Sequence, residues 1–153
     1  MTPQDLIATA RDLVRRRRGR LKQAHLKRAV STAYYATFHA AALLVANALV
    51  GRSRNRSESW SLTYRALQHG FARDILIRRD VRALHAGIGE FADAFVGLQE
   101  LRHLADYDPR AAFTPAEAVA AIVDAEDGVR ALEGVPTDLR LDLAARLVFK
   151  ARP

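Results

Sequence analysis

The chain has 153 residues, half of them hydrophobic, with no cysteine and a formal charge of +7. That length buries the apolar surface of one globular domain, and the missing cysteines exclude disulfides, thiolate metal sites and cysteine nucleophiles. The charge, with a pI near 10.5, favours a polyanionic partner such as nucleic acid, although an arginine-rich coding bias accounts for it equally well.

Thr2-Pro3-Gln4-Asp5 reads as a helix start, with Thr2 as N-cap, Pro3 in the first helical position and Asp5 at the positive end of the dipole. The helix is expected to run to about Arg18, burying Leu6, Ala10, Leu13 and Val14. Asp5, and the lack of a basic stretch ahead of a long apolar core, make this segment unlike a secretory signal, and a cytoplasmic protein is expected. Gly19 marks a break in RRRRGRLK. A longer helix then carries His25 through about Val50 and stops at Gly51, with an apolar stripe through Val30, Tyr34, Phe38, Ala41, Val45 and Leu49. Its longest apolar run, Ala40 to Val50, is interrupted by Asn47 and falls short of the roughly 20 residues that cross a bilayer, so it reads as a buried helix and no membrane partner is expected.

The polar stretch RSRNRSES reads as a loop. The spacing predicts a short helix from Trp60 to about His69, with Trp60, Tyr64 and Leu67 inward, ending at Gly70. A long helix follows from about Arg79 to Ala105, with an inward stripe from Val81 to Leu104; Gly87, Gly89 and Gly97 mark close approach of a neighbouring helix. Asp108-Pro109 ends it. Thr114-Pro115-Ala116-Glu117 is the strongest cap signal, opening a helix to Leu132 before Gly134, and a last amphipathic helix covers about Thr137 to Phe149. No segment alternates with period two and no repeat is visible. The expected fold is one all-α domain, residues 1–153, built as an antiparallel helical bundle.

Three stretches carry candidate chemistry. In LRHLADYDP, Arg102, Asp106 and Tyr107 stand four and five residues apart on the last turn of a helix, where Arg and Asp share a face. A helix-end ion pair before the Asp108-Pro109 turn explains this as well as a site does, and His103 projects about 100° away from Arg102. In RAVSTAYYATFHAA, Ser31, Tyr35 and His39 recur every four residues and form a polar seam in a buried helix; a core Tyr and His that satisfy each other would look the same. The run Arg15, Arg16, Arg17, Arg18 and Arg20 is a candidate for phosphate contact, and equally a solvated charge run. There is no glycine-rich phosphate loop, paired-His zinc motif, zinc-finger spacing or nucleophile elbow, so neither a metal nor a cofactor is expected.

Taken in order, RAVSTAYYATFHAA, WSLTYRALQHGFAR and LRHLADYDP resemble the HEPN family (higher eukaryotes and prokaryotes nucleotide-binding), over roughly Leu21 to Leu132. The resemblance implies an antiparallel bundle that pairs into a homodimer, with the late Arg of both protomers lining one cleft. In catalytically active relatives that Arg is followed four to six residues later by a His, and the pair cuts RNA without a metal. By position the Arg is Arg102, and Tyr107 stands where the His belongs. A phenol near pH 10 exchanges protons poorly at neutrality where an imidazole near pH 6.5 does so well. The resemblance therefore points to a dimer that binds a nucleotide or RNA through Arg102, Asp106, Tyr107, Tyr35 and His39, with little or no catalysis by Arg102 and Tyr107. Two alternatives stand beside it. One is a metal-independent endoribonuclease of toxin type in which His39 or His103 of the partner protomer replaces the missing His. The other is a partner subunit for a nucleotidyltransferase or antitoxin.

Overall fold

The structure, a computed structural model, describes residues 1–15 and 19–152. Its helices begin where the local chemistry supplies caps. Thr2 Oγ1 accepts from Asp5 N at 3.1 Å while Thr2 N donates to Asp5 Oδ2 at 2.7 Å, closing a capping box at the head of α1 (Pro3–Val14). The same reciprocal pair, Thr114 with Glu117, opens α7 (Pro115–Glu133). Between them run α2 (Gln23–Leu49), a 3₁₀ turn at Arg52–Arg54, α3 (Glu58–Arg65), α4 (His69–Leu76), the single turn α5 (Arg79–Arg82) and α6 (Ala86–Tyr107); α8 (Thr137–Val148) closes the chain. Every regular element among the described residues is helical, so the fold class is all-α as the periodicities indicate.

Helix α2 is the axis of the fold, packing against α1, α3, α6, α7 and α8. It is long and apolar enough to cross a membrane by composition, but most of that apolar surface is buried inside the bundle. Alanines on α2 let the surrounding helices approach closely: Ala29, Ala33, Ala36, Ala41, Ala42 and Ala46 are fully buried. Tyr34, Phe91, Phe95, Leu98, Ile122 and Leu143 fill the space between α2 and its neighbours.

Four expectations are corrected. Helix α1 ends at Val14, with Arg15 already extended at its C-cap; Arg16, Arg17 and Arg18 lie outside the described residues. Gly19 does break the chain, at a φ of 91° that favours glycine. The helix expected over Trp60–His69 ends at Arg65, and an extended Gln68 starts a new one at His69, so Gly70 lies inside α4 rather than ending α3. The turn carries Leu67 into the core and lets Ala72, Ile75 and Leu76 be buried where α4 packs against α6 and α8.

The helix expected over Arg79–Ala105 is interrupted because extended His85 acts as an N-cap, its Nδ1 accepting from Gly87 N at 2.9 Å. Its stripe also turns outward at its end, leaving Leu104 45% exposed. Of its glycines, Gly87 marks a close approach: a Cβ there would lie 2.6 Å from the Ala131 carbonyl oxygen. Gly89 has only an ordinary contact and Gly97 faces open space, whereas Gly128 on α7 is the second tight point, where a Cβ would meet Ala94 Cβ at 2.6 Å.

Candidate nucleotide-binding site

Helices α2 and α6 cross so that the polar seam of one meets the last turns of the other. Arg102, with its side chain only 13% exposed, is held at three points: Nε donates to Asp106 Oδ2 at 3.1 Å, and Nη2 donates to Tyr35 Oη at 3.1 Å and to Tyr107 Oη at 3.3 Å. The guanidinium lies 5.4 Å from the Tyr35 ring centre and 5.6 Å from those of Tyr34 and Tyr107, within the range of cation–π attraction. Burial works against its charge, but the Tyr35 and Tyr107 phenol groups and the hydrogen-bonded Asp106 carboxylate hold it more firmly protonated than usual. The other oxygen of Asp106 accepts from the buried Ser31 hydroxyl. An ion pair across four residues is present, as the spacing requires, but it is embedded in a tertiary network rather than lying on a free helix surface.

This network forms one wall of an open cleft lined also by Ala24, Lys27, Arg28 and Ala105. Lys27 Nζ donates to the Asp108 carbonyl at 3.2 Å, tying the start of α2 to the end of α6. Three cations thus face one carboxylate, Asp106, in a cleft open to water. Tyr107, 66% exposed, stands at its rim.

The seam divides in space. Ser31 and Tyr35 converge on Arg102 and Asp106, whereas His39, one turn further along, shares a hydrogen bond with Tyr64 of α3 and stands apart from the cleft. Tyr35 and His39 therefore do not satisfy each other; each finds its partner on a different helix. His103 is exposed, its ring 5.6 Å from that of Tyr107. Arg15 is exposed and pairs with Asp12 at 3.2 Å, and Arg20 is exposed in the segment leading to the cleft; the rest of the arginine run lies outside the described residues.

No family model, curated protein or solved structure matches the chain.

Three residues absent from the sequence-level candidates belong to this region. Lys27 and Arg28 line the cleft two helical turns before Tyr35, and their i−8 and i−7 spacing from it was a signal available in the sequence. The third is His69, at the start of α4. Its ring stacks on Phe38 with centres 3.9 Å apart, and its Nδ1 lies 2.5 Å from Tyr34 Oη. Burial pushes the Tyr34 phenol well above its ordinary range, against the opposing pull of Arg102. Tyr34 therefore keeps its proton, and its hydroxyl shares one hydrogen bond with His69 Nδ1. Desolvation lowers the His69 pKa, and the charges of Arg102 and His103 lower it further.

Proposed function

We propose that the protein is a HEPN-like homodimer that binds a nucleotide or RNA by its phosphates at the Arg102 cleft, with a nucleotidyltransferase or antitoxin as a further protein partner. The observation that carries this reading is the triply anchored Arg102 facing Lys27 and Arg28 across an open cleft. A guanidinium fixed by Tyr35, Tyr107 and Asp106 is pre-ordered for a phosphate, and little side-chain entropy remains to be lost on binding. Asp106 serves as its internal counterion in the empty state, and exposed Tyr107 offers a ring for a base to stack on. The homodimer is supported by the family resemblance and by apolar residues exposed on the end of α6 that bears Arg102.

The test is titration of a nucleoside monophosphate and a short RNA at low salt. Arg102→Ala is expected to weaken both by about tenfold or more, since a hydrogen bond to a charged group contributes ~1.5–3 kcal/mol. Asp106→Asn, which removes the competing carboxylate, is expected to strengthen both by about two- to fivefold, the scale of a part-exposed ion pair. If no nucleotide, RNA or DNA binds at low salt, the reading fails and a pure protein-partner role takes its place.

One observation favours metal-independent RNA cleavage as a second reading. A neutral imidazole, His69, is oriented by Tyr34 beside the Arg102 network, where the chain has Tyr107 instead of the expected late His. A neutral imidazole can take up a proton as a general base, although the lowered pKa of His69 weakens it in that role. RNA cleavage by the wild-type protein in the presence of a chelator, abolished separately by His69→Ala and Arg102→Ala, would establish it; intact RNA after prolonged incubation rejects it.

A further inference from the structure

The positive charge of the chain is segregated. From Leu13 to Ser57 there are eleven Lys and Arg and not one Asp or Glu, leaving thirteen basic residues for the seventeen acidic ones elsewhere. A coding bias towards arginine would scatter cations without removing carboxylates from one stretch. In the fold this stretch is α2 and its two flanks. Lys22, Lys27 and Arg28 stand at the N-terminal end of α2, and Arg52, Arg54 and Arg56 follow its C-terminal end in the loop to α3. Those three loop arginines are exposed and form no ion pair among the described residues, whereas the exposed Arg65, Arg78 and Arg130 are matched with Glu58, Asp80 and Asp127; exposed Arg79 and Arg110 are likewise unpaired among the described residues, but they stand singly rather than as a group of three.

Between the two basic ends lies a strip of half-buried rings. It continues the seam from Tyr35 to His39, then to Tyr64, which shares a hydrogen bond with His39, and to Trp60, stacked on Tyr64 with ring centres 5.2 Å apart. Trp60 Nε1 donates to Asn47 Oδ1 at 3.0 Å, so the indole is fixed at the loop end of the strip. Steps of four residues advance 40° round the helix, so the strip winds about α2 as it goes. Fourteen residues separate Tyr35 from Leu49, a rise of about 20 Å.

We propose that this strip is a track for a single-stranded oligonucleotide, with the Arg102 cleft as one phosphate clamp, Arg52, Arg54 and Arg56 as a second, and Tyr64 and Trp60 as a stacking platform between them. The proposal rests on the nucleic-acid reading of the cleft and narrows its ligand from a nucleotide to an oligonucleotide, because one nucleotide cannot span both clamps. A basic groove interleaved with aromatic rings suits single strands, whose bases are free to stack and whose phosphates repeat along the length. A duplex hides its ring faces and would leave the platform unused.

The test compares oligouridylates of about two and about ten nucleotides, within the site sizes common for single-strand binders, by fluorescence anisotropy and by the emission of Trp60, the one tryptophan in the chain. The wild type is expected to bind the longer strand at least tenfold more tightly and to show Trp60 quenching with it alone. The combined variant Arg52→Gln, Arg54→Gln, Arg56→Gln, altered only at exposed loop positions, is expected to lose that gain while binding the dinucleotide as before. Its salt dependence should flatten by about 0.7 unit of slope for each phosphate no longer neutralised, roughly two units in all. Binding of the longer strand by this variant with wild-type affinity and slope overturns the track, as does affinity independent of length. If Arg102→Ala weakens both strands while the loop variant changes neither, the cleft stands and the track falls; if only the loop variant weakens binding, the cleft reading falls and the two-clamp track falls with it, leaving the loop arginines as a separate contact. Should neither strand bind at low salt, both fall and the basic face belongs to an acidic protein.

Discussion

A single imidazole shows how burial sets chemistry at the residue scale. His69 is stacked on Phe38 and shares a hydrogen bond with Tyr34, and desolvation makes its charged form unfavourable in the fold. His39, partnered by Tyr64, is shifted the same way by the same cause. In both, the folded-state pKa is depressed below the 6.5 of a free imidazole. Protonation is therefore easier in the unfolded chain, so their contribution to stability is complete above pH 6.5 and is lost as pH falls through the folded values. The midpoint of thermal unfolding should drop on acidification from pH 7 to pH 5. His69→Asn, which keeps an acceptor near the Tyr34 hydroxyl but cannot charge, should shallow that slope. An identical pH dependence in wild type and variant would show that His69 is not held neutral by its surroundings.

Among the elements, what was legible in the sequence follows from the range of the interactions involved. Capping boxes at Thr2 and Thr114, the stop at Asp108-Pro109 and the break at Gly19 are written in three or four adjacent residues, and they stand where the local chemistry puts them. The starts of α4 and α6 are not. An extended Gln68 and an imidazole cap at His85 are weak local signals, and only packing of α4 on α6 and α8, and of α6 on α7, fixes them. The candidate site divides in the same way. Tyr35, Arg102 and Asp106 recur at helical spacings that single them out, whereas His69 joins the network only because the chain turns at Gln68.

Helix α6 approaches α7 closely at Gly128, where an added Cβ would lie 2.6 Å from that of Ala94, itself fixed to a helix backbone. Neither atom can swing aside as a long side chain would. Gly128→Ala is expected to destabilise the fold by ~1–3 kcal/mol in urea unfolding despite the higher helix propensity of alanine. Gly70→Ala, in a helix and with nothing within 4 Å of the new atom, should be neutral or stabilising by up to about 1 kcal/mol. Equal effects of the two substitutions would mean that the α6–α7 approach is loose enough to absorb a methyl group.

For the whole molecule, the surface area bears on assembly. A globular monomer of 17.0 kDa is expected to expose about 7,700 Å², and this chain exposes 9208 Å². The excess, about 1,500 Å² on one chain, is larger than the ~800 Å² that each partner buries in a standard-size protein interface. Some of it is apolar and localised. Gly97, Leu101 and Leu104 follow one another by four and three residues on α6, and Leu104 is exposed beside Arg102, while Val119 and Val123 are exposed on the antiparallel α7. Pairing two copies across this face would cover those side chains and bring the Arg102 clefts towards a common seam, the arrangement the family resemblance implies. The wild-type protein is therefore expected to sediment as a dimer at micromolar concentration, and Leu104→Glu as a monomer, because a buried unpaired carboxylate opposes association by several kcal/mol. Leu141→Glu, at an exposed leucine on α8, should leave the dimer intact and separates loss of this interface from a general effect of added charge. A monomeric wild type would sink the dimer, and a Leu104→Glu variant that still dimerises would place its interface on another face. If the dimer forms through α6, the Leu104→Glu monomer should retain dinucleotide binding at each cleft, since Arg102 draws Tyr35, Asp106 and Tyr107 from its own chain.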